Sequence, residues 1–335
     1  MMALRSLSKT GKAGPFMQEK MALTGNLQPK KKGRFIREIK KNFWLYMLTV
    51  PAIIYALVFK YVPLVGVSIA FQDFNPIKGL FGSEFIGFDN FKYFFRGSQW
   101  LQITFNTLWL NILFIVSGTI AAVGLAIILV ELGKNIFVKI NQSVMIFPNF
   151  ISWVVVAMFV QAFIGSDGGY INRWIAAVGG TPISFYSEPG AWPIIFIVVR
   201  IWKGAGFGAI IYMATILGID TGMYEAARID GASRMQTIFR ITLPMLKETV
   251  ILLTILGIGT IFYGDFGMIY TMVGDNSVLF PTTDVIDTYV FRSIRTSGSM
   301  GMSAAVGLYQ SLIGFMLVIF SNQMAKKYSP DAAIF

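Results

Sequence analysis

Cysteine and histidine are both absent from this sequence of 335 residues, which limits the chemistry its side chains can perform. No disulfide can form, and no Cys or His is present to act as a nucleophile, a zinc ligand or a haem ligand. Catalysis by carboxylates alone is left open, but no pair of acids stands out beside an apolar segment. Function must therefore be sought in the charged residues inside apolar segments and in one polar segment that lies between two apolar segments.

Three ionisable residues lie inside long apolar segments: Arg200, Lys203 and Asp265. Charges within a bilayer are costly and usually face the interior of a helix bundle or a water-filled cavity. Arg200 and Lys203 are one turn apart and share a helix face, although Lys203 could also snorkel toward the cytoplasm. Asp265 either faces a transported solute or forms a structural ion pair with Arg200 or Lys203, and the sequence leaves both open.

The polar segment is Glu225–Pro244, EAARIDGASRMQTIFRITLP. Its pattern predicts a short helix over Met223–Asp230, ended by Gly231 in the left-handed conformation. Ser233 is then expected to cap a second helix that runs to about Ile241, and Pro244 to lie near the start of the next apolar segment. This bent pair of helices is either a docking knob for another protein or a simple connection between two membrane helices.

The surrounding elements are predicted to be membrane helices. Hydrophobic residues make up 55% of the chain and charged residues 13%, whereas soluble proteins have about 25% charged residues. A membrane helix needs about 20 mainly apolar residues. Six segments qualify: 43–71, 105–130, 140–164, 193–218, 248–271 and 300–323. The predicted fold class is therefore an all-α integral membrane protein with six transmembrane helices.

Orientation follows from the positions of the basic residues. Residues 1–42 hold eleven of the 28 Lys/Arg and two of the 17 acids, so most of the net charge of +11 lies on one tail. With this tail inside, the inner segments carry 19 Lys/Arg and the outer segments 72–104, 165–192 and 272–299 carry six. Both termini are therefore predicted to be cytoplasmic.

The domain plan has four parts: a basic tail at 1–42, a six-helix membrane domain at 43–325, the polar segment at 223–244 within it, and a C-terminal tail at 326–335. A basic tail before an apolar span is typical of an anchor on anionic membrane lipid rather than of a nucleic-acid site. Residues 33–42 are either a short interfacial helix or simply the charged flank of the first span.

The polar segment resembles a known motif. Glu225-Ala226-Ala227, Asp230-Gly231-Ala232 and Ile241–Pro244 are similar, in type and spacing, to the EAA loop of binding-protein-dependent ABC importer permeases. One departure is Ile238, where these permeases usually carry Phe. Further matches at Ile201–Gly204 and Phe266–Tyr270 resemble the maltose-type carbohydrate branch. The segments Asp284–Val290 and Gly307–Ser311 are similar to permeases for complex oligosaccharides, including the polygalacturonan and alginate types.

The resemblance implies a type I ABC importer permease fold in the bacterial cytoplasmic (inner) membrane. The EAA loop is then the coupling helix that docks on an ATPase, and the coupling residues are Glu225, Ala226, Ala227, Asp230, Gly231, Ala232 and Pro244. The implied partners are a second related permease, two ATP-binding subunits, an extracytoplasmic solute-binding protein and an oligosaccharide. The chain has no phosphate-binding loop of the G-x-x-x-x-G-K-[ST] type, so no cofactor is expected in it, and ATP and Mg²⁺ are expected on the ATPase.

A sugar path needs polar groups for hydroxyls and aromatic faces for pyranose rings. We predict Tyr263, Asp265, Gln310 and Arg200 as residues of the substrate path, while structural pairing or lipid-facing packing remains an alternative for them. Arg200 and Lys203 could also attract an acidic oligosaccharide. Gly204 and Gly208 are interpreted as small-residue helix packing.

Two other functional classes were weighed. An ion-coupled secondary transporter or channel needs an intramembrane carboxylate site, and only Asp265 is available for one. A membrane-embedded enzyme needs paired acids or an activated Ser near the membrane, which the sequence does not display. The prediction is a transport subunit without enzymatic activity of its own.

Overall fold

Residues 41–133, 136–165, 168–328 and 333 are described in the computed structural model of the chain. The basic tail with its expected interfacial helix therefore lies almost wholly outside the described residues, as does most of the C-terminal tail. Two compact units, residues 1–65 and residues 66–335, divide the chain and are described separately.

The first unit contributes one helix, α1, at Phe43–Ala56, which continues as a wide π turn at Leu57–Tyr61. Pro51 lies inside α1, and no residue of α1 is buried. The helical run ends as a 3₁₀ helix at Val62–Phe71, the last part of which, from Gly66 onward, belongs to the second unit. The continuous run Phe43–Phe71 matches the first predicted span in length and position.

The second unit begins with a short antiparallel hairpin and then follows an all-helical course. The hairpin pairs β1 with β2, in the register Gln72 with Phe85 and Asp73 with Glu84. The elements in chain order are β1 Gln72–Asp73, α2 Gly79–Gly82, β2 Glu84–Phe85, α3 Asp89–Arg96, α4 Gln99–Glu131, α5 Ile136–Ile146, α6 Trp153–Ile164, α7 Tyr170–Ala177 and α8 Trp192–Leu217. They continue with α9 Thr221–Ile229, α10 Arg234–Thr237, α11 Leu243–Ile258, α12 Phe266–Val273, α13 Phe280–Thr283, α14 Ile286–Ser297 and α15 Met300–Tyr328.

Within the described residues, five helical stretches are long and apolar enough to cross a bilayer, and a bent pair makes a sixth if it is one span. The pair consists of Val138–Phe150 and Trp153–Ile164, which meet at 99°. The predicted third span, 140–164, is therefore interrupted by this bend. Pro148 lies just before the bend, where its missing N–H and fixed φ weaken a continuous helix.

The predicted fifth span, 248–271, is wrong at its C-terminal end. Its long helix ends at Ile258, and residues 259–265 form turns before the separate helix α12 begins at Phe266. Gly257, Gly259 and Gly264 fall around this interruption, and glycine weakens a helix interior by about 1 kcal/mol relative to alanine. Apolar composition continues through the break, which is why the hydropathy pattern did not reveal it.

The centre of the second unit is the contact between α4 and α8. Ala122 and Ala126 of α4 are buried with Ala209 and Tyr212 of α8, so two small-residue faces meet. Small side chains allow helix backbones to approach closely, which favours dispersion contacts in a membrane where no hydrophobic effect drives association. A second cluster around Trp192 and other buried side chains of α4, α6, α8 and α12 lies toward the other end of α8.

One glycine of α8 is required by a close backbone approach, and it is not a residue that the sequence analysis chose. A Cβ on Gly206 would lie 2.0 Å from the carbonyl oxygen of Met145 in α5. At Gly208 the nearest atom would be the Ala122 Cβ at 3.1 Å, while no atom lies within 4 Å at Gly204. The predicted packing role of Gly204 is therefore wrong, because that position faces open space.

Candidate functional site

The polar connection between α8 and α11 consists of two short helices and the caps between them, and we call residues 221–242 the coupling segment. Its first helix, α9, starts after Asp220, whose Oδ1 accepts a hydrogen bond from the Gly222 N–H at 2.9 Å. The helix ends at Ile229, one residue before the predicted end. Gly231 follows in the left-handed conformation with φ +75°, as the sequence predicts.

The end of α9 is closed by two specific backbone hydrogen bonds. The Ala232 N–H donates to the Ala227 carbonyl at 2.9 Å, and the Gly231 N–H donates to the Arg228 carbonyl at 3.1 Å. This pair is the Schellman arrangement, which needs a left-handed residue at the position of Gly231. No atom lies within 4 Å of a Cβ placed on Gly231, so its backbone conformation rather than crowding calls for glycine.

The second helix of the segment starts with a reciprocal cap at Ser233. The Gln236 N–H donates to Ser233 Oγ at 3.3 Å, and the Ser233 N–H donates to Gln236 Oε1 at 2.7 Å. The helix does not end near Ile241 as expected. It widens into a π turn at Ile238–Thr242 and runs directly into α11. Pro244 therefore lies within one continuous helical stretch, Arg234–Ile258, and the wide turn before it accommodates the missing N–H.

The coupling segment is ordered by its own hydrogen bonds but leaves most of its surface uncovered. Ile229 is 86% exposed and Phe239 is 61% exposed. Of the predicted coupling residues, those that are exposed are Glu225, Ala226, Asp230, Gly231 and Pro244, and those that are half-buried are Ala227 and Ala232. An exposed apolar and charged surface on a capped, bent pair of helices is suited to receive another protein.

Contact with the membrane helices is made at the two ends of the segment. The hydroxyl of Tyr224 lies 3.2 Å from Oγ1 of buried Thr242, so α9 is bonded to the π turn that leads into α11. No ion-pair partner within the described residues is found for Glu225 or Arg228. Their charges are therefore available to a partner.

A second group of functional candidates surrounds the middle of α8. Arg200 Nη1 lies 2.5 Å from Asp265 Oδ2, which realises the ion-pair alternative for Asp265. Asp265 is also the N-cap of α12, since its Oδ1 accepts the Met268 N–H at 3.2 Å. The guanidinium of Arg200 stacks on Phe114 of α4, with its central carbon 4.8 Å from the ring centroid. Arg200 thereby connects α8 to residues 259–265, the interruption between α11 and α12 that we call the break after the fifth span.

Lys203 does not snorkel toward an aqueous end of the bundle. Its ammonium donates to the carbonyl oxygens of Pro148, Asn149 and Ile151 at 3.2, 2.8 and 2.5 Å, at the bend of the third span. The residue is only 9% exposed. Because Lys203 is engaged by carbonyls and Arg200 by a carboxylate, the expectation that the two cations jointly attract an acidic sugar is not supported by this geometry.

A cleft of about 440 Å³ opens between the two interrupted spans. The residues that line it are Asn149, Ile151, Ser152, Trp153, Arg200, Lys203, Gly204 and Asp265. An indole, a guanidinium, a carboxylate and an amide on one wall can offer ring-stacking and hydrogen bonds to a polyhydroxylated solute. Two of the predicted substrate-path residues, Arg200 and Asp265, therefore lie in one cleft.

The other two predicted substrate-path residues lie elsewhere and differ in exposure. Tyr263 is 45% exposed, and its hydroxyl lies 3.2 Å from Ser311 Oγ. Gln310 is only 4% exposed, and its amide donates to the Phe262 carbonyl and to Asp287 Oδ2. The geometry is thus compatible with a solute contact for Tyr263, whereas the burial of Gln310 indicates a structural role for its amide.

Sequence reasoning missed the residues that hold the break after the fifth span. Asp287 Oδ2 accepts the Gly264 N–H at 2.5 Å, and Asn111 Nδ2 donates to the Tyr263 carbonyl at 3.2 Å. Gln310, which donates to the Phe262 carbonyl and to Asp287 Oδ2, is the third residue that holds this break. Nothing in the sequence pairs these positions, although a polar Asn or Gln inside an apolar helix is itself a sign that a buried backbone group needs a partner.

Comparison with known proteins places the chain in a family context. The family described as "Binding-protein-dependent transport system inner membrane component" matches residues 115–330. Protein LplB of Bacillus subtilis (strain 168) is 37% identical over 293 residues, covering 88% of this chain and 92% of LplB. The polygalacturonan/rhamnogalacturonan transport system permease protein YteP of the same organism is 34% identical over 301 residues, covering 90% of this chain and 93% of YteP.

A solved structure agrees with the sequence relatives. A chain in the crystal structure of a bacterial ABC transporter involved in the import of the acidic polysaccharide alginate superposes with a TM-score of 0.81 at 32% identity. The match covers 88% of this chain and 99% of that one. A chain in the crystal structure of a bacterial alginate ABC transporter in complex with an alginate pentasaccharide-bound periplasmic protein gives a TM-score of 0.80 at 31% identity.

Proposed function

The chain belongs to the family of inner membrane components of binding-protein-dependent transport systems, and from this premise we propose that it forms half of the translocation pathway of an oligosaccharide importer. It is a multi-pass membrane protein and the permease component of an ABC importer, a transport subunit rather than an enzyme. The observation that carries the proposal is the coupling segment, an exposed and doubly capped pair of helices inserted between two membrane helices.

The mechanism we propose is alternating access driven through the coupling segment. Partner ATPase subunits hold ATP and Mg²⁺ and receive the exposed surface around Glu225 and Ile229. Only residues 218–220 separate α8 from α9, and α10 runs without interruption into α11. A displacement of the segment is therefore passed to two spans without a flexible linker, and one of them, α8, lines the charged cleft with Arg200, Lys203 and Gly204.

The substrate class is supported by relatives and by the cleft. YteP is named for polygalacturonan and rhamnogalacturonan, and the structural neighbour imports alginate. We propose that Tyr263, Asp265 and Arg200 lie along the sugar path of this chain. Gln310 was predicted to belong to the same path, and its buried amide instead supports a role in shaping the wall behind Tyr263.

The assembly and orientation are proposed on the same basis. A second, related permease completes the pathway, and a solute-binding protein delivers the sugar to the outer segments 72–104, 165–192 and 272–299. The distribution of Lys and Arg supports cytoplasmic termini and a cytoplasmic coupling segment. The inner membrane of a bacterium is the proposed location, with the basic tail against anionic lipid.

Reconstitution tests the proposal directly. The chain is placed in proteoliposomes with its second permease and ATPase, and uptake of labelled oligosaccharide is measured with and without the solute-binding protein. We expect uptake only when ATP, the ATPase and the binding protein are all present. Solute accumulation or ATP hydrolysis by this chain alone would overturn the proposal.

A further inference from the structure

The bend of the third span interrupts the helical hydrogen bonds: the Pro148 carbonyl accepts the Ile151 N–H at 3.1 Å, whereas no backbone donor to the Asn149 or Ile151 carbonyl is found within the described residues. The 3₁₀ turn Phe147–Phe150 ends the first half, and α6 starts only at Trp153 after a 99° change of direction. The last carbonyls of a helix have no intrahelical donor. In a bilayer no water replaces the donor, so each unpaired group costs several kcal/mol.

Lys203 supplies the missing donors from the neighbouring helix α8. An ammonium has three N–H donors and no acceptor, and three carbonyls of the bend lie within hydrogen-bonding distance of Lys203 Nζ. The negative end of a helix dipole also favours a cation at this position. The Lys203 ammonium further lies 5.1 Å from the centroid of the Trp153 ring, at the first residue of α6. One side chain thus contacts both halves of the bent span.

Arg200 has the equivalent role for the other interrupted span, one turn earlier on the same helix. It pairs with Asp265, the residue that caps the start of α12 after the break. The two cations of α8 are therefore directed to two different breaks. Both breaks border the cleft between the interrupted spans.

We propose that Lys203 is a positioning residue whose tethered ammonium holds the bend of the third span, so that movement of α8 carries both interrupted spans together. The inference rests on the proposed transport function, since it assigns a task to α8 within that cycle. Lys203 itself touches no sugar in this scheme. Its contribution is to keep the carbonyls of Asn149 and Ile151 paired while the helix that leads to the coupling segment moves.

Chemical rescue in the reconstituted importer distinguishes this role from general stabilisation. Lys203→Ala leaves a carbonyl cage that a small primary ammonium can enter. We expect uptake by Lys203→Ala to fall about tenfold or more, because loss of one buried hydrogen-bond partner shifts an equilibrium by roughly that factor. Methylammonium or ethylammonium should restore several-fold activity with saturation, and tetramethylammonium, which lacks N–H donors, should not.

Arg200→Ala is the matched control, because its lost group is a guanidinium from the same helix face. Guanidinium ion is expected to rescue Arg200→Ala and not Lys203→Ala, with the reverse specificity for methylammonium. Normal uptake by Lys203→Ala would overturn the proposal. So would a loss of uptake that no primary amine restores.

Hydrogen exchange gives a second readout that does not depend on transport. In Lys203→Met, which keeps the aliphatic stem, amides of residues 151–156 should exchange at least about tenfold faster than in the unmodified protein, while those of residues 266–269 stay protected. Arg200→Met should show the opposite pattern. Uniformly faster exchange, or unchanged exchange at the bend, would overturn the role of Lys203. If transport fails in every preparation but the exchange patterns differ as described, the proposed function is at fault and the assignment of Lys203 stands.

Discussion

The Asp287 carboxylate accepts a hydrogen bond from the Gly264 backbone N–H at 2.5 Å and ties the start of α14 to the break after the fifth span. Gln310 of α15 donates to the same oxygen at 3.2 Å. Gly264 has no room for a side chain, since a Cβ would lie 2.7 Å from Val285 Cγ2. Three distant parts of the chain therefore meet at one carboxylate.

Asp287→Asn should make stability less dependent on pH. Burial raises the pKa of the Asp287 carboxyl above its ordinary value of 3.8, and the hydrogen bonds from Gly264 and Gln310 oppose the rise only in part. The folded protein then binds the proton more tightly than the unfolded chain. The contribution of the Asp287 carboxyl to stability is therefore greatest at and below pH 3.8 and is lost as the pH rises through the higher folded-state value. Asn can still accept the Gly264 N–H and carries no charge.

Melting temperatures in detergent, measured from about pH 3.8 to neutral, test this prediction. The decline with pH should be steeper for the unmodified protein than for Asp287→Asn. Asp89→Asn is the control, because Lys92 lowers the pKa of this fully exposed carboxyl and exposed pairs contribute little. Parallel profiles for the unmodified protein and Asp287→Asn would contradict the assignment.

Gly206→Ala should damage the packing of α8 on α5. The added methyl would lie 2.0 Å from the Met145 carbonyl oxygen, which is backbone and cannot rotate away. Overpacking of this kind costs about 1–3 kcal/mol, occasionally more. Gly204→Ala, two residues earlier, meets no atom within 4 Å and should be nearly neutral. Melting temperature and yield of folded protein are measured for the two variants. Equal values would contradict the close packing of α8 on α5 at Gly206.

Gly231→Pro should abolish transport. Proline has no N–H to donate to the Arg228 carbonyl, and its φ near −65° is incompatible with the +75° at this position. Gly231→Asn is the matched variant, because Asn tolerates the left-handed region and retains the N–H. We expect uptake close to normal for Gly231→Asn and none for Gly231→Pro at equal membrane abundance. Normal uptake in Gly231→Pro would refute the coupling role of the bend.

Glu225→Ala should lower ATPase activity that depends on transport, without affecting the amount of protein in the membrane. The side chain is exposed, and exposed substitutions usually change stability by less than about 0.5 kcal/mol. ATP hydrolysis of the reconstituted importer, stimulated by the loaded binding protein, is the measurement. Glu248→Ala, another exposed acid that lies outside the coupling segment and outside the outer segments, should leave the stimulation unchanged. If the binding protein stimulates ATP hydrolysis equally in both variants, Glu225 does not carry a charge that the ATPase contacts.

The sequence by itself determined the features that depend on neighbouring residues. A bilayer requires about 20 consecutive apolar residues, so a span appears in the composition of a single stretch. The caps of the coupling segment are also local: the Gly231 N–H donates to Arg228 three positions earlier, the Ala232 N–H donates to Ala227 five positions earlier, and Ser233 pairs with Gln236 three positions later. Such contacts form wherever the same short sequence occurs, which is why both caps were predicted.

Only the tertiary structure decided where the spans are interrupted and what holds the interruptions. Lys203 reaches carbonyls 52–55 residues earlier in the chain, and Arg200 reaches Asp265, 65 residues later. Gln310 and Asp287 are brought to Gly264 in the same way. Apolar composition is equal on both sides of each break, so it carries no sign of a bend. The partner of a buried charge or backbone group is chosen by how the helices pack, and that choice exists only once the chain is folded.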